Sequence, residues 1–512
     1  MRKYSPLMCA LTALAFAPIF CLGQSATSIA VHVSPESATV KSAQTVQLTA
    51  LVKNTSRVGV QWSASAGRIS STGMYTAPKV TSNTVVTVRA TSTADASKFA
   101  TASIAISAPD QNPDTHTPSR SGGGGGGGAT IKESFFGADF NGFGVWPPTD
   151  GQHQIATLGS VRLWDDNVKW AQIETSKGVY DWSELDNHIS KVLSQNADVL
   201  YTIGNTPQWA GTIPPKSPCG PQGPYSCSSP KDINTDGTGA DAYFSDFITA
   251  LVTRYKGQIA FYELWNEPDC TCYWSGTNAQ IVRMGQDAAR IIRSLDPNAR
   301  ILSPSAHGPS MATWFDGYVA AGGAANFDIV NAHLRGNGST NSSPEAFLTM
   351  WADVTAETAK RNLTSLPVWD DEHGIKQGQM SDPDELAGYV ARSIALRAGV
   401  GVQRQYVYTW DQGSGLGLQG NQSGTAWDVV AGWLIGHTIS PCVAANTVYT
   451  CNLDNGQIVW DTAQSCKNSV CTTSNYTYPT TYHNSTDITG VKKTLSGKTV
   501  AIGYKPIFLT AN

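Results

Sequence analysis

The sequence predicts a (β/α)8 barrel carried between two β-rich segments. Three observations predict it. From residue 133 onward eight short apolar runs alternate with longer amphipathic stretches. Residues 28–107 and 438–512 instead repeat apolar positions with period two, the signature of half-buried strands. A run of glycines, Gly122 to Gly128, separates the first β-rich segment from the alternating part.

The chain opens with Arg2 and Lys3, followed by an almost wholly apolar stretch from Leu7 to Leu22 and the small residue Gly23. That order reads as an export signal over 1–23. The stretch is short for a membrane span, and no later segment is apolar enough to cross one. The mature chain is therefore expected to be secreted, extracellular or periplasmic, without a transmembrane segment. Residues 24–108 follow, with alternation at Ile29, Val31 and Val33, at Val46, Leu48, Ala50 and Val52, at Val86, Val88 and Ala90, and at Ala102, Ile104 and Ile106. Val60-Gln61-Trp62-Ser63 and Gly73-Met74-Tyr75-Thr76-Ala77-Pro78 resemble bacterial Ig-like domains, β-sandwiches. The segment holds no cluster of acids, His or Cys, so a spacer role or contact with cell wall or polysaccharide is the expectation. Residues 109–130, rich in Pro, Ser, Thr and Gly, form a linker that cannot bury enough apolar surface to offset its ordering entropy. Its glycines are not a phosphate loop, because no Lys-Ser/Thr follows and no strand precedes them.

The barrel is expected over 131–437, with strands at 136–141, 160–166, 198–205, 259–267, 299–307, 327–335, 366–372 and 402–410. Between them Phe244, Phe247, Ile248 and Leu251 share one helical face over 241–255, closed by Gly257. Ile281, Met284, Ala288, Ile291 and Leu295 do the same over 278–295, stopped by Pro297, and Ser381-Asp382-Pro383 opens a third helix running to about 398. Eight β-then-α units close into a parallel barrel. Residues 438–512 are expected to form a small β domain, with strands at 457–461 and 499–504 and a turn at Ser496-Gly497, packing on the barrel's side and recruiting a strand from 130–135.

Composition narrows the function. A net charge of −4 disfavours a polyanionic partner, so no nucleic acid is expected. Cys9 and Cys21 fall in the leader; the remaining eight are Cys219, Cys227, Cys270, Cys272, Cys442, Cys451, Cys466 and Cys471. In an exported chain an even set implies disulfides. Local loops at 219–227, 442–451 and 466–471 suit the spacing. Direct closure of Cys270 on Cys272 would be strained, so a cross-link between the 219/227 and 270/272 loops stands beside it. Neither His nor Cys occurs at metal-ligand spacing, and no metal or other cofactor is expected.

Active sites of such barrels lie at the C-terminal ends of the strands. The fourth run ends Tyr262-Glu263-Leu264-Trp265-Asn266-Glu267-Pro268, the seventh Val368-Trp369-Asp370-Asp371-Glu372-His373-Gly374. Period two puts Glu263, Trp265 and Glu267 on one strand face, and Val368, Asp370 and Glu372 on another, with Asp371 turned away. Two glutamates facing each other across the mouth supply what glycosidic hydrolysis needs, one acid to protonate the leaving oxygen and one carboxylate to attack. No G-x-S-x-G elbow points to a serine hydrolase instead.

Trp265-Asn266-Glu267-Pro268 resembles the Asn-Glu-Pro motif of glycoside hydrolase clan A. The resemblance spans about 300 residues, 136 to about 433, and implies a retaining glycosidase acting by double displacement on a carbohydrate substrate. It implies Glu267 as acid/base, Glu372 as nucleophile, Asn266 on the sugar 2-hydroxyl, Arg162 of Val161-Arg162-Leu163-Trp164 beside the nucleophile, His333 near it, and Trp410 as floor of the sugar subsite. His307, Trp164 and Trp209 are further substrate-binding candidates at strand ends, and Trp274 stands on the rim. Gly178-Val179-Tyr180-Asp181-Trp182-Ser183 and Thr206-Pro207-Gln208-Trp209-Ala210 are similar to family 39, which includes β-xylosidases and α-iduronidases. The mechanism calls for a Glu267 pKa that is high before attack. The competing readings are a barrel that binds carbohydrate without cleaving it and a wall-adhesion protein whose working part is the N-terminal module; a transglycosylase would share the same site. Residues 211–240 and 411–426 are expected as cleft loops.

Overall fold

A computed structural model describes residues 28–41, 44–78, 80, 84–107, 129–212, 219, 223, 225–335, 343–375, 379–411 and 416–511. The export segment expected at 1–23 and the glycine run at 122–128 lie outside them. The chain divides into two compact units, 1–112 and 113–512.

The described residues of the first unit are all β. Ser37–Lys41, Phe99–Ser107, Thr84–Ser92 and Val60–Ala64 form one sheet in that order, the first pair parallel and the rest antiparallel. Ala30–Ser34 pairs with Thr49–Lys53, and Thr45–Gln47, Met74–Thr76 and Arg68–Ile69 make a third sheet. The period-two positions do face inward: Val33, Leu48, Val86, Val88, Ala90, Ala102, Ile104 and Ile106 share one core with Tyr75.

The second unit is built on a parallel barrel. Its strands are β1 (Phe136–Asp139), β2 (Ser160–Leu163), β3 (Asp198–Thr202), β4 (Phe261–Glu263), β5 in two pieces (Arg300–Leu302 and Ala306–His307), β6 (Val330–His333), β7 (Val368–His373) and β8 (Gln405–Val407). The ladder runs from the first piece of β5 through β4, β3, β2, β1, β8, β7 and β6 to the second piece of β5, so the two pieces close the ring. Ser303-Pro304-Ser305 interrupts β5, where Pro304 has no N–H to donate to a ladder. The helices are α1 (Trp170–Ile173), α2 (Ser183–Ser194), α3 (Ala242–Tyr255), α4 (Asn278–Leu295), α5 (Met311–Ala320), α6 (Phe347–Lys360), α7 (Pro383–Val400) and α8 (Gln422–Leu434). Residues 422–426, expected as loop, are the first turn of α8, opened by Asn421 accepting from the backbone N–H groups of Ser423 and Gly424. No helix among the described residues is long and apolar enough to cross a membrane.

Leu200, Phe261, Leu302, Ile329, Trp369 and Tyr406 fill the lower storey of the barrel interior. They fix which residues point inward. Two positions above Phe261 stands Glu263, and two above Trp369 stands Asp371. Asp370 therefore points outward, where its Oδ2 takes the Nε of Arg397 on α7 at 2.6 Å. The expected placing of Asp370 inward and Asp371 outward is reversed. A register shift between Asp370 and His373 in the β7–β8 pairing then turns Glu372 toward the mouth as well. Trp265 also leaves the inner face. β4 ends at Glu263, and the Trp265 indole packs on Trp274 with centroids 5.2 Å apart, in the outer core.

Residues after α8 form a six-stranded antiparallel sheet and a separate pair, Thr473–Thr477 with Thr499–Gly503. They pack on α7 and α8. Trp433 stacks on Phe508 at 5.3 Å, the Arg392 guanidinium covers the Tyr504 ring at 4.2 Å, and Trp460 Nε1 donates to Glu345 at 2.9 Å. Residues 130–135 add no strand to this sheet. Ile131 makes a single parallel bridge to Ile435, and Glu133–Phe135 is a 3-10 turn. The disulfides are Cys219–Cys227, Cys270–Cys272, Cys442–Cys451 and Cys466–Cys471. The cross-link between the 219/227 and 270/272 loops is thus not formed: Cys270 closes on Cys272 within the turn that follows Glu267.

Candidate active site

Above the apolar storey the barrel interior turns charged, and Arg162 of β2 organises it. The guanidinium is fully buried. It reaches Glu263 Oε2 at 2.9 Å, Asp139 Oδ1 at 3.0 Å, Asp371 Oδ2 at 3.1 Å, Glu372 Oε2 at 3.0 Å and Asn266 Oδ1 at 2.7 Å. One buried cation thus faces four carboxylates from β1, β4 and β7. Such a cluster persists only when every member is paired. Thr202 Oγ1 donates to Glu263 Oε2 at 2.5 Å, and Ser305 donates to the other oxygen.

His333, at the end of β6, is fully buried between the two strand ends. Its Nδ1 lies 2.8 Å from Glu267 Oε1 and its Nε2 3.2 Å from Asp371 Oδ1. Burial works against its proton, but Asp371 and Glu267 outweigh it and raise the imidazole to about 9. His333 is therefore a cation near neutrality, donating at both nitrogens. Arg335, two residues further, was not singled out from sequence. Its guanidinium donates to Glu267 Oε1 at 3.1 Å, contacts Glu372, and lies 5.3 Å above the Tyr408 ring. It stands at the end of β6 facing inward, and inward residues at barrel strand ends are where such a candidate would be sought.

Glu267 and Glu372 meet. Together with a His333 nitrogen, an oxygen of each lies within 4.8 Å of the others. Glu267 has φ +42°, the left-handed region that a side-chain-bearing residue rarely enters and that active sites hold by over-determination. Burial pushes Glu267 up, but the His333 hydrogen bond and the charges of His333, Arg335 and His307 outweigh it and hold the carboxyl well below the usual range. The expected high pKa is thus reversed. Burial also opposes ionisation of Asp371, yet Arg162 and His333 hold it at about 2. Burial wins at Glu263, lifted to about 7 against Arg162, and at Asp139, lifted to about 8. Two trios, Glu263–His333–Asp371 and Glu267–His333–Glu372, have ligand atoms close enough to hold a metal ion. Arg162 and Arg335 already neutralise these carboxylates, so an ion would compete with a resident guanidinium.

The remaining predicted residues scatter. Asn266 sits at the site, its Oδ1 engaged by Arg162. Trp164 follows β2 and is buried at 3 %, with the Lys169 ammonium 4.3 Å from its ring and Tyr273 6.1 Å away. Trp410 is fully buried: its indole donates to Gln419 at 2.9 Å and its ring meets Trp427 edge-on. That burial corrects the expectation of Trp410 as sugar floor; two residues earlier Tyr408, just past β8, is the aromatic that Arg335 covers, its hydroxyl on Asp165 at 2.7 Å. Trp209 is no rim residue either. Its indole donates to the Glu174 carbonyl and its ring packs on Trp170 and Tyr243 against the outer core. Trp274 is likewise buried, against Trp265. His307 ends β5 and is half-exposed beside Asp269. In the expected cleft loops, 213–218, 220–222, 224 and 412–415 lie outside the described residues.

Residues 167–359 match the family model for cellulases of glycosyl hydrolase family 5. That stretch runs from before α1 nearly to the end of α6 and contains Arg335, His333 and Glu267. No curated protein matches the chain. Among solved structures, a family 39 glycoside hydrolase from the gut symbiont Bacteroides cellulosilyticus WH2 superposes with a TM-score of 0.54 at 14 % identity, covering 95 % of this chain and 100 % of that one. This is a likeness of fold. A family 30 endoxylanase from Clostridium papyrosolvens C71 gives 0.46 at 13 % identity, covering 75 % of this chain and 97 % of its own. A family 44 xyloglucanase from Paenibacillus polymyxa gives 0.47 at 11 %, covering 75 % and 98 %.

Proposed function

We propose that this chain, a glycosidase built on a (β/α)8 barrel of the clan A type, cleaves O-glycosidic bonds of oligo- or polysaccharides with retention of configuration. The observation that carries the reading is the proximity of Glu267 and Glu372, with oxygens within 4.8 Å of each other. Retaining enzymes hold their carboxyl groups about 5–5.5 Å apart, whereas inverting enzymes leave about 6.5–9.5 Å for a water. Glu372, ionised beside Arg162, attacks the anomeric carbon while Glu267 protonates the leaving oxygen. Water deprotonated by Glu267 then releases the sugar. Arg162 and His333 orient the two carboxylates, Asn266, held by Arg162, takes the sugar 2-hydroxyl, and Tyr408 offers an aromatic face to the sugar.

With His333 and Arg335 on its carboxylate, Glu267 is held as a base, not an acid. A sugar entering between the glutamates must displace Arg335, which touches both. Loss of that cation and exclusion of water each raise the Glu267 pKa, so the proton donor forms on binding. The leader at 1–23 and the four disulfides support secretion to the extracellular or periplasmic space. The first unit serves as a spacer or polysaccharide-adhering module.

A screen of nitrophenyl glycosides, followed by NMR of the anomer first released, tests the reading. Retention is expected, and Glu372→Gln should abolish turnover. Glu267→Gln should cost about 10²–10⁴-fold on substrates whose leaving group needs protonation. Inversion at the anomeric carbon would refute double displacement.

A further inference from the structure

The second piece of β5 ends at His307, which stands in register with His333 of β6. Asp269, two residues beyond Glu267, reaches across to it. Its carboxylate takes His307 Nδ1 at 2.8 Å and the His307 backbone N–H at 3.2 Å, and it also accepts from the Ser310 hydroxyl. Asp269's side chain is 2 % exposed while that of His307 is 46 % exposed. Nδ1 is thus committed to a buried carboxylate. Nε2, on the opposite edge of the ring, has no partner among the described residues. A carboxylate that fixes one imidazole nitrogen sets the orientation and the role of the other.

The position of this pair gives it a side. In-line displacement puts nucleophile and leaving group on opposite faces of the anomeric carbon, with the leaving oxygen at the proton donor. Glu372 belongs to β7, and Tyr408 follows β8. Glu267 follows β4, and His307 belongs to β5, the next strand round the ring on the far side from β3. His307 is close enough to Glu267 for each to shift the other's titration. The group that departs therefore leaves over the β4–β5 edge.

We propose that His307, oriented by Asp269, is the specificity-determining residue of the leaving-group subsite, where its Nε2 hydrogen-bonds a hydroxyl of the departing sugar. This rests on the assignment of Glu267 as proton donor and adds the side of the cleft on which the second sugar is recognised. A sugar leaving group offers hydroxyls to that nitrogen. A dinitrophenolate offers none and needs little protonation.

The test compares wild type with His307→Ala, His307→Gln and Asp269→Asn on two probes that share the sugar identified by the nitrophenyl screen: its 2,4-dinitrophenyl glycoside and its disaccharide. His307→Ala should lower kcat/KM on the disaccharide about ten- to a hundredfold more than on the dinitrophenyl glycoside, the span of one charge-assisted hydrogen bond. The disaccharide KM should rise more than its kcat falls. His307→Gln, which keeps a donor and an acceptor, should recover part of the difference, and Asp269→Asn should lose in the same direction. Should the alanine variant fail to fold, the glutamine variant and Asp269→Asn carry the same comparison. Equal losses on both probes, or no loss on the disaccharide, would overturn the proposal. Wild-type turnover of the dinitrophenyl probe by Glu372→Gln would instead sink the site assignment, independently of the His307 ratio.

Discussion

Arg335 touches both glutamates at once, and its effect on the Glu267 proton is readable in a pH profile. Its cation stabilises ionised Glu267 in the free enzyme, so removing it raises that pKa. If protonated Glu267 is needed for the first step, the alkaline limb of kcat/KM, which reports the free enzyme, should move to higher pH in Arg335→Gln. An unmoved or downward-moved limb would show that Arg335 does not govern the proton. Arg162 has a different task. It faces Asp139, Glu263, Asp371 and Glu372. Arg162→Met leaves buried carboxylates without their counter-ion, an arrangement that costs about 3–5 kcal/mol in comparable pairs. Loss of activity and a clear fall in unfolding free energy are expected together, measured by denaturant titration.

At the scale of elements, β7 carries the site because its register slips. Without the shift between Asp370 and His373, strict alternation would send Glu372 to the helix side together with Asp370. β1 is held close to β8 by a glycine. A Cβ on Gly137 would stand 2.5 Å from the Tyr406 ring, and that ring is pinned by a 2.5 Å hydrogen bond between its hydroxyl and that of Ser160. Gly137→Ala should therefore destabilise the barrel by about 1–3 kcal/mol, the usual cost of overpacking. Chemical denaturation would detect it, and a neutral result would mean that β8 can move aside. α4 begins at a reciprocal cap, with Thr277 accepting from the Gln280 backbone and Gln280 reaching back to Thr277.

For the whole molecule, two compact units and a mixed set of buried titrating groups set the expectations. Deleting 24–130 should leave kcat/KM on nitrophenyl glycosides at the wild-type value, since every residue of the site lies in the second unit. A large loss would give the first unit a role in turnover. Stability should decline on the alkaline side. His333, raised to about 9 in the fold, contributes stability that is complete below its unfolded value near 6.5 and lost as pH climbs through 9. Burial of Asp139 and Asp241, raised from 3.8 to about 8 and about 9, acts in the same direction from their unfolded value upward, because the folded state must surrender a proton it prefers to keep. Melting midpoints should fall between about pH 6.5 and 9. Asp241→Asn, which cannot ionise, should melt above wild type at pH 9. An equal or lower midpoint would show that Asp241 is not a buried acid.

The sequence alone determined what local chemistry can specify. Apolar spacing located eight strand regions and the three helices it outlined, and Asn266-Glu267-Pro268 with Glu372 named the glutamates that the fold brings together. Several matters were decided only by tertiary structure, for identifiable reasons. The storey filled by Trp369 set Asp371 inward and Asp370 outward, and a one-residue slip after Asp370 then turned Glu372 inward as well, because period two holds only while the ladder is regular. Trp410 went to the core and Tyr408 faced the mouth, since ring size does not say which of two nearby aromatics finds packing partners. Glu267 ended up ionised because its pKa depends on which cations the barrel gathers round it, and Arg335 and His333 reach it only through folding. Cys270 closed on Cys272 because the turn after Glu267 brings them together, a backbone geometry that spacing does not reveal.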